Sequence, residues 1–387
     1  MRSSIIGLVV LALVTSACGD KDQAPPPKTP ETTAVATTTA PPPPPPVDTT
    51  PPPPPPAPKP TMAELQQKAG QTIMEAFNAH DAKKGASVYA DDATFRMAGA
   101  PADAKGRDAI QAGMQRLFDS FSNFKASTQY AFVNNDVVIA VWNMNGTHSG
   151  DFFGVKATEK PVGWTGASVI WFNQDGMIKE EHVYWDVGTV MAQIGAAPKG
   201  MKARAIPALA AQPTMIVATG GGNEQKNVDA FKAWYGSFEQ KTPDAFLAPL
   251  TEDTEWDDLA NPAGVMKGTK VAKGYFTDLK KGFPDVKVQV ANAWGAGDFV
   301  ITENVMTGTQ TGAFMGKPAS KKALNLHGVD IAQMKDGKVV KGWSFANGGE
   351  MAMQLGWIKM PDPNAKPADP KAATPPAKPA APAAPKK

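Results

Sequence analysis

NGTHSGDFFG (residues 145–154) and TGTQTGAFMG (307–316) are one phrase written twice. Gly146, Thr147, Gly150, Phe152 and Gly154 return at constant displacement as Gly308, Thr309, Gly312, Phe314 and Gly316. Working outward, each phrase follows a run rich in β-branched and aromatic residues, VVIAVWNM (137–144) and FVITENVM (299–306), which predicts a strand. Before those runs lie helical patterns carrying Met114, Leu117 and Phe121 in one copy and Phe276, Leu279 and Phe283 in the other, and earlier still the acidic stretches YADDATF (89–95) and LTEDTEW (250–256). Each copy opens on a helix. The first has a capping-box pattern at Thr61 and Glu64 and an apolar stripe of Leu65, Ala69, Ile73 and Phe77; the second repeats the stripe as Val228, Phe231, Trp234 and Phe238. Each copy closes on a strand and a short helix, DGMIKEEHVYWDVGTVMAQIG (175–195) and DGKVVKGWSFANGGEMAMQLG (336–356). The phrase is thus part of a domain-length duplication, expected to occupy 61–195 and 224–358.

Outside the copies the composition changes. The chain has 387 residues with 37 Pro and 35 Gly, and the prolines gather towards the two ends. Residues 19–60 are dominated by Pro, Thr, Ala and Lys, with PPPPPP at Pro41 and Pro51; such a stretch cannot bury a core and predicts a disordered, extended stalk on the order of 100 Å. Residues 359–387, rich in Pro, Ala and Lys, read as a disordered tail, and 196–223 as a linker whose GGG lacks the GK[ST] of a phosphate loop. Lys+Arg 39 against Asp+Glu 37 leaves no basic stripe, so no nucleic-acid partner is expected. With 4 His and a single Cys, none at metal-ligand spacing, no structural metal is expected. At the N-terminus, Arg2, the apolar run Ile5–Val14 and small residues before Cys18 resemble a bacterial lipoprotein signal (1–18). That resemblance implies lipidation at Cys18 and an exported protein anchored to a cell-envelope membrane, on either the periplasmic or the surface side; Thr15 departs from the Leu, Val or Ile that family more often has there, and the alternative is an ordinary secretory signal with an incidental cysteine.

Helix, acidic strand, a helix ending in Phe283-Pro284-Asp285, the glycine phrase, the DGK turn and the closing QLG helix together resemble the SnoaL-like polyketide and ester cyclases of the NTF2-like superfamily. The resemblance implies an α+β fold: two tandem cones, each a curved antiparallel sheet wrapped on helices, with a pocket at the mouth. It also implies ring closure without cofactor or metal, an aspartate serving as acid and base, and pairing of cones through their outer sheet faces. An intramolecular pseudo-dimer is therefore expected. One departure is that the strand positions before the DG turn, where the family often has a basic residue, hold Phe172 and Gln333.

In the last strand of copy one, alternation places Glu180, His182, Tyr184 and Asp186 on one face; Lys341, Trp343, Phe345 and Asn347 are the counterparts. This face is expected to line the pocket, and Asp186 falls where the family carries its aspartate. Asp186 reads either as a general acid and base, assisted by His182 and Glu180, or as a cap of the helix that follows. His182 reads equally as a core histidine, and His148 as a substrate contact or a turn residue. Tyr184, Trp343, Phe345 and Asn347 are expected walls of two pockets. Because Asn347 cannot shuttle protons, copy two is expected to be the non-catalytic partner. The sequence favours a tethered module binding a small apolar or polyketide-like molecule, against a cofactor-free cyclase, isomerase or lyase in copy one, or a structural envelope protein.

Overall fold

The computed structural model describes residues 59–197, 202–261 and 264–358; Cys18, the stalk up to residue 58 and the tail lie outside them. The first cone begins with α1 (Met62–Ala79), whose start is fixed by the reciprocal cap read from the sequence: Glu64 N–H donates to Thr61 Oγ1 (3.3 Å) and Thr61 N–H donates to Glu64 Oε2 (2.7 Å). There follow α2 (Ala82–Ala86), β1 (Tyr89–Met97), β2 (Ala104–Lys105), α3 (Arg107–Ser120), β3 (Phe121–Asn134), β4 (Val137–His148), β5 (Pro161–Phe172), β6 (Ile178–Trp185) and α4 (Val187–Ile194). A linker strand, β7 (Thr214–Val217), adds to the β3 edge, giving the order β2-β1-β6-β5-β4-β3-β7.

The second cone repeats the plan with α5 (Gly222–Tyr235), α6 (Asp244–Leu247), β8 (Glu255–Asp258), β9 (Met266–Lys267), α7 (Gly268–Gly282), β10 (Lys287–Ala296), β11 (Phe299–Thr309), β12 (Ala323–Lys335), β13 (Lys338–Ala346) and α8 (Gly348–Gln354). Its sheet order is β10-β11-β12-β13-β8-β9. The long strands pair antiparallel, but the first strand of each cone lies parallel to the last, β1 on β6 and β8 on β13.

The duplicated glycine phrase has a mechanical role. A Cβ on Gly150 would stand 2.0 Å from the Asp119 carbonyl oxygen, and one on Gly312 would stand 2.0 Å from that of Lys281. Only glycine lets the loop lie this close to the end of the preceding helix. There the N–H groups of Ser149 and Gly150 bond the Ser120 carbonyl, and those of Thr311 and Gly312 bond the Gly282 carbonyl. The phrase is a clamp on a helix terminus, built twice.

Each sheet buries one face on its own helices. The opposite faces meet each other: Phe132, Val137, Ile139, Val141, Val169 and Tyr184 of the first cone share one buried cluster with Leu259, Ile301, Val329, Ile331 and Phe345 of the second. Among the described residues no helix is long and apolar enough to cross a membrane.

Candidate functional site

The closing strands present their faces the other way round from the sequence expectation. In β6 it is Val183 and Trp185 that pack into the first cone's core, with the Glu181 carboxyl bonded to the Tyr89 hydroxyl. Glu180, His182 and Tyr184 are on the face turned to the second cone. Alternation fixes which residues share a face, but with both faces covered it cannot say which one looks inward.

His182 Nδ1 lies 2.5 Å from Glu303 Oε1 of β11, and its Nε2 lies 2.8 Å from Glu180. The Tyr184 hydroxyl donates to the same Glu303 oxygen (2.5 Å), and Asn292 Nδ2 to the other (2.7 Å). Burial works against the imidazolium, but its bonds to Glu303 and Glu180 prevail and raise the His182 pKa. Burial likewise pushes Glu303 up, and the bonds from His182 and Tyr184 more than offset it, so the carboxyl is held below its ordinary range.

Asp186 is the N-cap of α4. It accepts from Gly188 N–H (3.1 Å), Thr189 N–H (2.7 Å) and Thr189 Oγ1 (2.8 Å), and across the cone boundary from Gly348 N–H (3.0 Å). Asn347 caps α8 in the same manner and donates from Nδ2 to the Ala98 carbonyl (3.1 Å). His148 is fully buried, with Nδ1 3.0 Å from Thr158 Oγ1, rather than exposed in a turn. Phe345 belongs to the core between the cones, and Trp343 lies beside it under the Lys341 ammonium, 4.9 Å from the ring centre. None of the sequence-predicted site residues lines the cavity of the second cone, although Trp343 lines a smaller one at the boundary with the first.

The cavity inside the second cone is about 140 Å³. At about 30 Å³ per molecule it has room for roughly five waters. Trp234, Phe238, Phe246, Trp256, Met306 and Leu326 are among its apolar walls, and Tyr235, Asp258, Tyr275, Asn304, His327 and Asp330 also line it. Superimposing the strand registers explains why the cavity is here. Trp142, Trp164 and Trp185 of the first cone correspond to Asn304, Leu326 and Ala346 of the second. The three indoles are buried in the first cone's core, Trp142 donating to Ser168 Oγ at 3.0 Å. Their replacement by smaller side chains hollows the second.

The polar groups diverge in step. Asp258 and Asp330 stand where the first cone has Met97 and Ser168, and Tyr235 stands where it has Met74. The Tyr235 hydroxyl donates to Asp330 Oδ2 (2.7 Å) and lies 2.5 Å from Thr302 Oγ1; Asn304 Nδ2 also donates to Asp330 Oδ2 (3.0 Å). Burial raises the pKa of Asp330, against the hydrogen bonds that favour its charge. Asp258 accepts the Ala260 N–H at 3.0 Å; burial pushes its carboxyl up to about 7, with the charges of Asp330 and Asp186 adding to the effect. A cavity thus holds one carboxyl that ionises near neutrality beside a hydrogen-bonded tyrosine–carboxyl–amide cluster. Such an arrangement can take a proton from carbon and, with Asp330 in the protonated form that its burial favours, donate to the charge that develops on oxygen. Sequence reasoning missed it by following the aspartate at the strand end; the legible signal was the thinning of three tryptophans alongside new acids.

The family described as SnoaL-like polyketide cyclase matches residues 67–194 and 228–355. Among solved structures, a protein described as a SnoaL-like polyketide cyclase from Jannaschia sp. CCS1 shares 22% identity, covering 36% of this chain and 97% of that one with a TM-score of 0.34. One described as a polyketide cyclase from Xanthomonas campestris pv. campestris shares 21%, covering 35% and 100% with a TM-score of 0.31. TsrD from Streptomyces laurentii shares 22%, covering 35% and 95% with a TM-score of 0.30. No curated protein matches the chain.

Proposed function

Since the chain belongs to the SnoaL-like polyketide cyclase family, we propose that its second cone binds a small, largely apolar carbonyl compound and moves a proton on it, as an isomerase or aldol-type cyclase does. The observation that carries this reading is the divergence between cones: the one that is hollow is also the one that gained Tyr235, Asp258, Asn304 and Asp330. The Asp258 carboxylate takes a proton from the carbon beside the carbonyl. The C–H electron pair moves to give an enolate, whose oxygen accepts a hydrogen bond from Asp330 in its protonated form, the form that burial favours, with Tyr235 and Asn304 holding that carboxyl in place. Asp258 then returns the proton to another carbon, or the enolate carbon adds to a second carbonyl, closing a ring, and Asp258 gives its proton to the alkoxide oxygen that forms. The first cone serves as the fixed partner on which the working cone is seated.

The test is α-proton exchange into a panel of β-keto esters and unsaturated ketones in D₂O, followed by NMR. Asp258→Asn is expected to slow exchange by roughly 10²-fold or more, the usual scale for losing a general base. Exchange that survives Asp258→Asn, or no exchange with any ketone shown to bind, would overturn the reading.

Export and anchoring through Cys18 are part of the same proposal, supported by the signal-like N-terminus. Cys18→Ser should move the protein from the membrane fraction to the soluble one; unchanged fractionation rejects the anchor.

A further inference from the structure

Arg204 belongs to neither cone's own elements, yet its guanidinium reaches the strand end that carries Asp258. Nη1 donates to the backbone carbonyls of Asp258 (3.2 Å) and Asn261 (2.9 Å), and Nη2 donates to Asp257 Oδ1 (2.7 Å). The contact is a built one: the Arg204 and Asp257 side chains are each only 20% exposed. Its base is fixed on the other cone. Gln193 of α4 donates to the Arg204 carbonyl (3.1 Å) and also to that of Gly163 (2.8 Å), and receives the Gly163 N–H (2.9 Å). Further along the linker, Asn143 donates to the Ala208 carbonyl (2.6 Å) and Ala210 N–H to Ser127 Oγ (2.9 Å). The linker is laced to the first cone and extends one cation to the second.

We propose that Arg204 is a positioning residue for Asp258: by gripping both carbonyls of the Asp258–Asn261 turn and the neighbouring Asp257 carboxylate, it fixes where the Asp258 carboxyl enters the cavity. This rests on the reading of Asp258 as the proton-carrying group. A guanidinium fork suits the task because it holds several oxygens in one plane, which an ammonium cannot. Asp257 and Asp258 are successive residues of β8 and so point to opposite faces. Arg204 therefore takes hold of the strand from the boundary side and sets a side chain on the cavity side. The charged and titratable groups around Asp258 are Asp330 of β12, Asp186 at the head of α4, Tyr275 of α7 and Arg204 itself.

The experiment compares Arg204→Met and Arg204→Lys in the full chain, with two readouts that need no turnover. Amide exchange at Leu259, bonded to the Ser344 carbonyl, and at Ala260, bonded to Asp258, should quicken roughly tenfold or more in both variants, because neither restores the fork. The pH midpoint of the Asp258 carboxyl, read by ¹³C NMR against Asp258→Asn, should rise in Arg204→Met and return towards the parent value in Arg204→Lys, which keeps the cation. With a ketone that exchanges, kcat should fall roughly 10–100-fold while KM moves less, as displacement of a reacting group dictates. Unchanged amide exchange and an unchanged midpoint in Arg204→Met overturn the proposal. Should the parent protein exchange no ketone, the functional reading falls, and the two spectroscopic readouts still decide the clamp.

Discussion

Asp186 and Asn347 occupy equivalent strand ends yet meet different partners, and the difference accounts for their identities. Asp186 receives four hydrogen bonds, three from its own helix start and one from Gly348 of the other cone. A carboxylate can accept all four; an asparagine would turn an N–H₂ group against donors. Asn347 uses its amide nitrogen to donate to Ala98 across the boundary, where a carboxylate would face a carbonyl oxygen. Asp186→Asn and Asn347→Asp are therefore each expected to lower stability by about 1–3 kcal/mol, the scale of leaving a buried polar group unsatisfied. Urea denaturation measures this, and ketone exchange in Asp186→Asn should stay near the parent rate. A rate collapse in a stably folded Asp186→Asn would return the chemistry to the first cone. Sequence alone had left cap and catalyst as rival roles for Asp186, because both demand a carboxyl at a strand end and only the partners across the boundary separate them.

The paired elements of the two cones extend the same logic. Strand and helix identities were legible because periodicity, caps and the glycine phrase are local signals: the Thr61–Glu64 box and the helix-end clamps stand where the residues say. The direction a strand faces is not local. The side of β6 carrying His182 and Tyr184 looked like a pocket wall because it is bulky and mixed in polarity, and a core between two sheets has the same character. Its polar centre predicts a pH dependence. His182 has a raised pKa in the fold, so its contribution is fully present below the unfolded value of about 6.5 and is lost as pH climbs through the folded one. Glu303 has a lowered pKa, so its contribution is present above the unfolded carboxylate range and is lost as pH falls through the folded value. Glu180, Arg96, Tyr184 and Asn292 surround the pair. The denaturation midpoint should thus hold from mildly acidic to neutral pH and fall on both sides. Glu303→Ala should cost on the order of 3–5 kcal/mol by stranding a buried cation. A flat profile in the parent protein would mean that the pair does not titrate with folding.

At the scale of the whole molecule, the two cones form a natural experiment in cavity making. Restoring one indole should reverse it: Ala346→Trp places in the second cone the side chain that fills the first as Trp185. Ligand binding by isothermal titration is expected to fall at least tenfold while the circular dichroism spectrum is kept, since a buried indole removes the volume that an apolar ligand occupies. Undiminished binding in a folded Ala346→Trp would put the ligand elsewhere. The hollow was hard to read from the sequence because a cavity is a relation among side chains contributed by distant strands, and no single replacement, such as Leu326 for Trp164 or Ala346 for Trp185, announces one.

The covalent joining of the cones has a consequence beyond packing. In a dimer of identical chains every substitution appears on both sides of the axis, so a residue that improves a wall against the neighbour must also be tolerated by the neighbour's wall. Duplication within one chain removes that constraint. Here His182 can face Glu303 without a second histidine facing a second glutamate, and three tryptophans can solidify one half while their counterparts open the other. Division of labour between halves that began alike is open to a tandem chain and closed to a symmetric pair.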